Sequence, residues 1–249
     1  MNEPLVDFHC HLDLFPDLDQ IVRECEDRRV YTLAVTTTPR AWVRNRDAAA
    51  TTKHVRAALG IHPQLVATHG NEIELWEKLL PETRYVGEVG LDASPAHFKS
   101  LHQQREVFRR VLEACSALGE RILSVHSVRA ATSVLDMIEA HLQPGRSKVV
   151  LHWFSGSKAE ARRAVEMGCW FSVNAPMLRN ERTASIVASV IPLDRILTET
   201  DGPFAEGPLG PARPKDVGMA LDLCAHALGI EREEVAGHVL RNMRGLLTM

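Results

Sequence analysis

Nowhere does the chain approach the about 18 consecutive apolar residues that a membrane-spanning helix needs, so no such helix is expected. Paired cysteines are missing too. The five cysteines (Cys10, Cys25, Cys115, Cys169, Cys224) are odd in number and scattered, with no Cys-x-x-Cys. That excludes a disulfide framework and a zinc ribbon, and points to a reducing compartment, the cytoplasm being the expected one. The opening segment, MNEPLVDFHCH, carries acids where an export signal would carry lysine or arginine, so export is not expected. There is no excess of positive charge: the net charge is −3, which excludes a protein that grips nucleic acid by surface charge alone. Any attraction for phosphate must therefore be local. Lysine is scarce, with 6 against 23 arginines, a balance that suits bidentate phosphate contacts and that a codon bias explains equally well. Finally, no repeat or low-complexity tract stands out, and no glycine-rich phosphate loop follows the first strand, as it would in an open nucleotide-binding sheet.

What is present is a chain of 249 residues, 45% hydrophobic, enough for one large domain over residues 1–249. Short β-branched runs alternate with longer stretches of helical period, the pattern of βα units around a parallel sheet. Strands are predicted near 4–9, 31–36, 54–60, 84–89, 121–126, 148–152, 169–173 and 194–199. Helices are predicted near 17–29, 40–51, 71–80, 98–118, 130–142, 157–167, 180–190, 214–228 and 231–247. Eight strands, each followed by a helix, is the count of a closed (β/α)8 TIM barrel. The segment 202–214, GPFAEGPLGPARP, is expected to lack regular structure because of its proline and glycine content. It follows the last barrel strand, at the end where barrel active sites lie.

Seven residues of metal-ligand type stand at or just past the C-terminal ends of these strands: His9, His11, His62, Glu88, His126, His152 and Asp201. In a barrel those ends converge on one rim, and so many convergent ligand types are hard to explain as core filling. Strand alternation puts His9 and His11 on one face and Cys10 on the other, toward the helices, where it serves as a small buried filler. Glu88 ends a run that is otherwise apolar or glycine. A buried acid there is costly unless paired or bound to a metal, and its two oxygens can each face one ion. None of the six lysines stands at a strand's C-terminal end, which closes the option of a carbamylated lysine bridge. His126 and His152 each end an apolar run; singly, each would more often be a hydrogen-bonded core histidine. Asp201 can hold a metal and accept a proton from the attacking water. Glu199, two residues earlier, is expected to orient groups nearby, and Asp92 to support the site or form a turn.

These residues fall in blocks that resemble the TatD family of metal-dependent deoxyribonucleases, among the amidohydrolase-like barrels. The blocks are Asp7-Phe8-His9-Cys10-His11-Leu12-Asp13, Gly60-Ile61-His62-Pro63, Gly87-Glu88-Val89-Gly90-Leu91-Asp92, His152-Trp153-Phe154-Ser155-Gly156 and Glu199-Thr200-Asp201-Gly202-Pro203, with Asn242 in the last helix. They span nearly the whole chain in the family's order. The resemblance implies hydrolysis of DNA phosphodiester bonds, often from the 3′ end of single strands, with two divalent ions (Mg, Mn or Zn). It implies His9, His11 and Asp201 on one ion, His126 and His152 on the other, and Glu88 shared. Three blocks depart from it. Arg129 stands three residues after His126 rather than two, Ala93-Ser94-Pro95 replaces the aromatic after Leu-Asp, and Ala212-Arg213-Pro214-Lys215-Asp216 replaces an Asn-x-Pro-like segment. The departures touch the substrate side and spare the metal side. They also resemble the TatD-like nucleases of Qat anti-phage defence systems, which implies partner proteins.

Two divalent ions bring four positive charges and Glu88 with Asp201 returns two, leaving a local excess that draws phosphate to an acidic protein. His62 is better placed for a phosphate oxygen than for a metal, with Arg129 assisting. Trp153 is a candidate for stacking on a base, or equally for packing at the barrel rim. Asp201 and Glu88 are the expected catalytic pair. Two rival readings share the barrel: a hydrolase of small amides, esters or phosphoesters, and a subunit that binds partners without catalysis.

Overall fold

The computed structural model describes residues 4–248. Eight parallel strands line the interior: β1 (Leu5–Cys10), β2 (Val30–Val35), β3 (Val55–Ala58), β4 (Tyr85–Gly90), β5 (Arg121–His126), β6 (Ser147–His152), β7 (Trp170–Val173) and β8 (Ile196–Thr198). The helices are α1 (Leu18–Arg28), α2 (Pro39–Ala49), α3 (Val66–His69), α4 (Ile73–Leu79), α5 (Leu101–Leu118), α6 (Ala131–His141), α7 (Lys158–Glu166), α8 (Ala175–Arg179), α9 (Glu181–Ser189), α10 (Gly218–Leu228) and α11 (Arg232–Leu247). This is the (β/α)8 barrel that the alternation predicts, with strand ends within two residues of the expected ones.

The strands form two hydrogen-bonded arcs, β1–β2–β3 and β4 to β8. One seam is closed by backbone bonds: the Leu59 N–H donates to Tyr85 O at 3.0 Å and the Gly87 N–H to Leu59 O at 3.0 Å. Across the other, the Thr198 hydroxyl donates to Val6 O at 2.6 Å. The Asp201 N–H donates to His9 O at 2.9 Å and the His11 N–H to Gly202 O at 2.8 Å. The ends that carry the candidate ligands are thus tied to one another across this seam.

Apolar strand faces and helix stripes meet in one large core that includes Val35, Val86, Leu123, Val150, Phe171 and Leu197, all buried. A smaller cluster, with Cys10, Leu12, Ile21 and Cys25, lies under α1. Cys10 therefore faces the helix layer, as alternation requires. Asn242 on α11 donates from Nδ2 to Leu193 O and Ile196 O at 2.7 and 2.8 Å, fastening the last helix beneath β8.

Segment 202–214 corrects the expectation of irregular chain. It holds a short antiparallel hairpin, β9 (Glu206–Gly207) with β10 (Gly210–Pro211). Gly210, at a φ of 120°, supplies the backbone freedom that the turn needs, so the composition that argued against regular structure instead makes a tight reversal. The predicted helix at 71–80 is shorter, and α3 precedes it. The helix at 180–190 is likewise preceded by a separate turn of helix, α8, at whose end Asn180 caps α9 by accepting from the Arg182 and Thr183 N–H groups.

Candidate metal centre

Strand geometry gathers the seven rim residues: His62, Glu88, His126, His152 and Asp201 line a pocket of about 270 Å³, and His9 and His11 stand against Glu88 and Asp201. Glu88 is its hub. Oε1 lies 2.6 Å from His126 Nδ1 and 2.8 Å from His152 Nε2. Oε2 lies 3.4 Å from His9 Nε2, 3.2 Å from His11 Nε2 and 3.0 Å from His62 Nε2. The carboxylate thus faces two imidazole groups with two different oxygens. Asp201 Oδ1 stands 3.5 Å from His9 Nε2 and 3.6 Å from His11 Nε2, and the two imidazole nitrogens are 3.3 Å apart.

Local irregularities aim these groups inward. The β1–β2 register shifts between Asp7 and Cys10, and the β4–β5 register between Val86 and Val89. His9 and Glu88 therefore sit in bulges, which re-aim a side chain out of regular alternation. Two glycines make room. A Cβ on Gly60 would fall 1.7 Å from Thr36 O, the carbonyl that accepts the Glu88 N–H. Gly90, at φ 137°, would place one 2.1 Å from His126 O. Trp153 and Asp201, just past their strands, are left-handed at φ 38° and 55°, conformations that non-glycine residues seldom adopt.

Three of these imidazoles have a polar group behind them, whereas His11 Nδ1 is buried without a hydrogen-bond partner. His9 Nδ1 is 2.7 Å from Ser124 Oγ, and the tautomer that donates there leaves the Nε2 lone pair facing the pocket. His126 Nε2 is 3.1 Å from Asp92 Oδ2, which also accepts from Gln64 Nε2 at 2.8 Å. His152 Nδ1 faces Glu199 Oε1 at 3.5 Å. Glu199 is itself held by the Trp153 N–H at 3.0 Å, Asn174 Nδ2 at 2.9 Å and the Ser172 hydroxyl. Asp7 accepts from the Thr200 N–H at 2.8 Å and the Thr200 hydroxyl at 2.6 Å, which sets the turn into Asp201. Carboxylates behind ligating histidines are a regular feature of metal sites.

His62 differs. Its Nδ1 accepts from the Gln64 N–H at 3.1 Å, so its proton is on Nε2, pointing into the pocket. It lies close enough to Glu88 and His126 to join a metal group, yet this tautomer makes it a hydrogen-bond donor.

The electrostatics follow from burial in company. Burial pushes Asp201 up to about 7 against the pull of His152 and His11. Burial also pushes Glu88 upward, but His62, His152 and His9 together outweigh it and hold the group well below its ordinary value. For His9, burial lowers the pKa well below the ordinary value, with His152 adding to it. Burial opposes charge on His152 as well, and there Glu88 and Glu199 prevail and raise it well above.

The donor set fits a divalent cation. His9, His11 and Asp201 offer three ligand atoms within 4.8 Å of one another, as do His62, Glu88 and His126, and His9, His152 and Glu199. Asp201 Oδ1 is buried without a hydrogen-bond partner, a costly arrangement that a cation would relieve.

Of the expected substrate contacts, His62 and Trp153 line this pocket, and Arg129 lines a neighbouring one. Trp153 is only partly exposed and packs on the core. Sequence reasoning missed Phe204, which lines the pocket at 61% exposure with its ring edge-on to His11 at 5.1 Å. Its position just after Asp201-Gly202-Pro203 was the available signal. Ser124 and Asp7 were missed as supports because each is only a small or acidic residue inside a strand.

A model of the TatD-related DNase family matches residues 6–248. The human deoxyribonuclease TATDN3 is 29% identical, over 93% of this chain and 90% of its own. The uncharacterized metal-dependent hydrolase YcfH of Escherichia coli K12 is 29% identical, over 80% of this chain and 78% of its own. The crystal structure of YJJV, a TatD homolog from Escherichia coli K12, superposes with a TM-score of 0.87 at 25% identity, covering 98% of each chain. The chain belongs to the TatD-related DNase family.

Proposed function

We propose that the protein is a metal-dependent phosphodiester hydrolase that cleaves DNA, acting on the 3′ ends of single strands with two divalent ions. The observation that carries this reading is Glu88, whose two oxygens face separate imidazole groups, Oε1 toward His126 and His152 and Oε2 toward His9 and His11. His9, His11 and Asp201 would hold one ion, His126 and His152 the other, and Glu88 both. Bound there, the ions would supply Lewis acidity, lowering the pKa of water and polarising a phosphoryl oxygen.

The chain's own groups do the rest. Asp201, whose unpartnered Oδ1 would face the ion, accepts the proton of the attacking water on its other oxygen. His62 donates Nε2–H to a phosphate oxygen, a role its tautomer supports. Glu199 and Asp92 hold His152 and His126 in place from behind. Phe204 offers the exposed ring for a terminal base, and Trp153, half-buried, the wall beside it. The wider setting proposed is the cytoplasm, which five free and buried cysteines fit. There the activity would serve a defence system with partner proteins, on the strength of the three substrate-side departures.

The test is metal analysis of the purified protein beside an assay of 3′- and 5′-labelled single strands, with small esters and amides in parallel. Two ions per chain and shortening from the 3′ end are expected. Turnover of small esters with no cleavage of DNA under Mg, Mn or Zn would overturn the reading.

A further inference from the structure

Beside the metal pocket lies a second cavity of about 300 Å³, whose lining includes Ser127, Arg129, Thr132, Ser133, Ser155 and Arg182. Ser127 and Ser155 also line the metal pocket, so the two cavities share a wall between the turns that leave β5 and β6. The lining carries hydroxyls and guanidinium groups and little apolar surface. Its acid is Glu160, already occupied: Oε1 accepts from the Thr132 hydroxyl at 2.6 Å, and Oε2 from the Ser157 N–H and hydroxyl at 2.7 and 2.8 Å. Arg182 is fixed as well, donating to Ser155 O at 2.9 Å and Gly156 O at 2.7 Å, which leaves other N–H groups of its fork unused.

Arg129 is different. It is exposed, and among the described residues its side chain has no hydrogen-bond or ion-pair partner. Its backbone is left-handed at φ 51°, a conformation costly to a residue with a Cβ. A strained turn that presents an uncommitted guanidinium at the edge of a polar cavity, next to a phosphate-cleaving centre, has the makings of an anion contact. Two arginines against one acid leave this lining net positive in a protein whose overall charge is −3.

We propose that this cavity is a subsite for the phosphate that flanks the scissile one, with Arg129 as its principal cation. The inference rests on the nuclease reading above and deepens it: the substrate is a polynucleotide held at two successive phosphates, not any phosphodiester. It also reassigns Arg129 from the scissile phosphate to its neighbour.

The experiment couples a change in the substrate to a change in the protein. Trithymidylate is compared with its two forms in which one linkage is a neutral methylphosphonate, so that either flanking charge is removed while one cleavable linkage remains. For the wild-type protein, one of these forms should lose about tenfold in kcat/KM, the size of one charge-assisted contact. In Arg129→Ala that penalty should vanish, and in Arg129→Lys part of it should return. Because the readout is the coupling, a variant whose overall rate has shifted remains informative. An equal penalty in wild type and Arg129→Ala, or none in wild type, overturns the subsite while leaving the nuclease reading intact. No cleavage of trithymidylate by the wild type overturns that reading and the subsite with it.

Discussion

The pocket has two unlike sides. The side built by strand ends is buried, with His9, His11, Glu88, His126, His152 and Asp201 each at most 6% exposed and most of them held by a second group. The side built by loops is open: Phe204 is 61% exposed and Leu209, at the tip of the hairpin, 97%. The first cannot move without breaking a barrel seam, because Asp201 and His11 take part in the backbone bonds that join β8 to β1. The second can vary without touching the core. Rigid elements hold the chemistry, and loops choose what reaches it.

The sharpest way to break this comparison is Glu88→Gln. The change keeps size but removes the charge that five imidazoles face, and puts an amide nitrogen where one oxygen would meet a cation. The pair His126 and His152 supplies no charge of its own, so the ion there should be lost first, whereas His9, His11 and Asp201 keep one carboxylate. The variant should stay folded, bind fewer ions and lose on the order of a thousandfold or more in hydrolysis, the scale of removing a central electrostatic stabiliser. Metal stoichiometry and rate on one preparation decide it. Full stoichiometry with an unchanged rate would remove Glu88 from the centre.

The same contrast explains what could be read in the sequence. Period and strand-end position are local properties, so the barrel and the convergence of the seven rim residues were legible. Which atom faces which was not. The bulges at His9 and Glu88 depend on register against a neighbouring strand, and Ser124 behind His9 is 115 positions away in the chain. On the loop side, proline and glycine in 202–214 pointed to irregular chain and hid both the hairpin and the exposure of Phe204. Arg129 is legible in the sequence only as a candidate to assist His62 at a phosphate oxygen, and the cavity beside it depends on a left-handed turn that nothing in Ser127-Val128-Arg129 announces.

A smaller effect sharpens the comparison on the open side. Phe204→Ala should leave folding nearly unchanged, because the ring is mostly exposed, and raise KM for single-stranded DNA about tenfold, within the range of one lost base stack. Trp153→Ala should do the reverse, costing stability, since that ring packs on the core. Thermal melts and single-strand kinetics on both variants separate the two. A large loss of stability in Phe204→Ala with unchanged KM would place that ring among the structural residues instead.

The smallest effect lies where the loop side is fastened to the barrel. Arg213 donates to Asp17 Oδ2 from Nη2 at 2.9 Å and to Glu24 Oε2 from Nε at 3.2 Å, and Lys215 reaches Glu24 Oε1 at 2.9 Å, so the end of the 202–214 segment is pinned to α1. The hydrogen bonds from Arg213 hold the Asp17 carboxyl below its ordinary value. A carboxyl whose folded pKa is depressed stabilises the fold above its unfolded pKa, and that contribution is lost as pH falls through the folded value. The pair is partly exposed, so screening keeps its worth to about 0.5 kcal/mol or less. Asp17→Asn should therefore lower Tm slightly at pH 7 and by a shrinking amount as pH is taken below about 4, with added salt reducing the difference in the same way. Paired melts of the two proteins across that range read it directly. A difference that stays constant with pH and salt would mean that Asp17 acts through packing at the start of α1, and that the loop is held through Glu24, by Arg213 and Lys215.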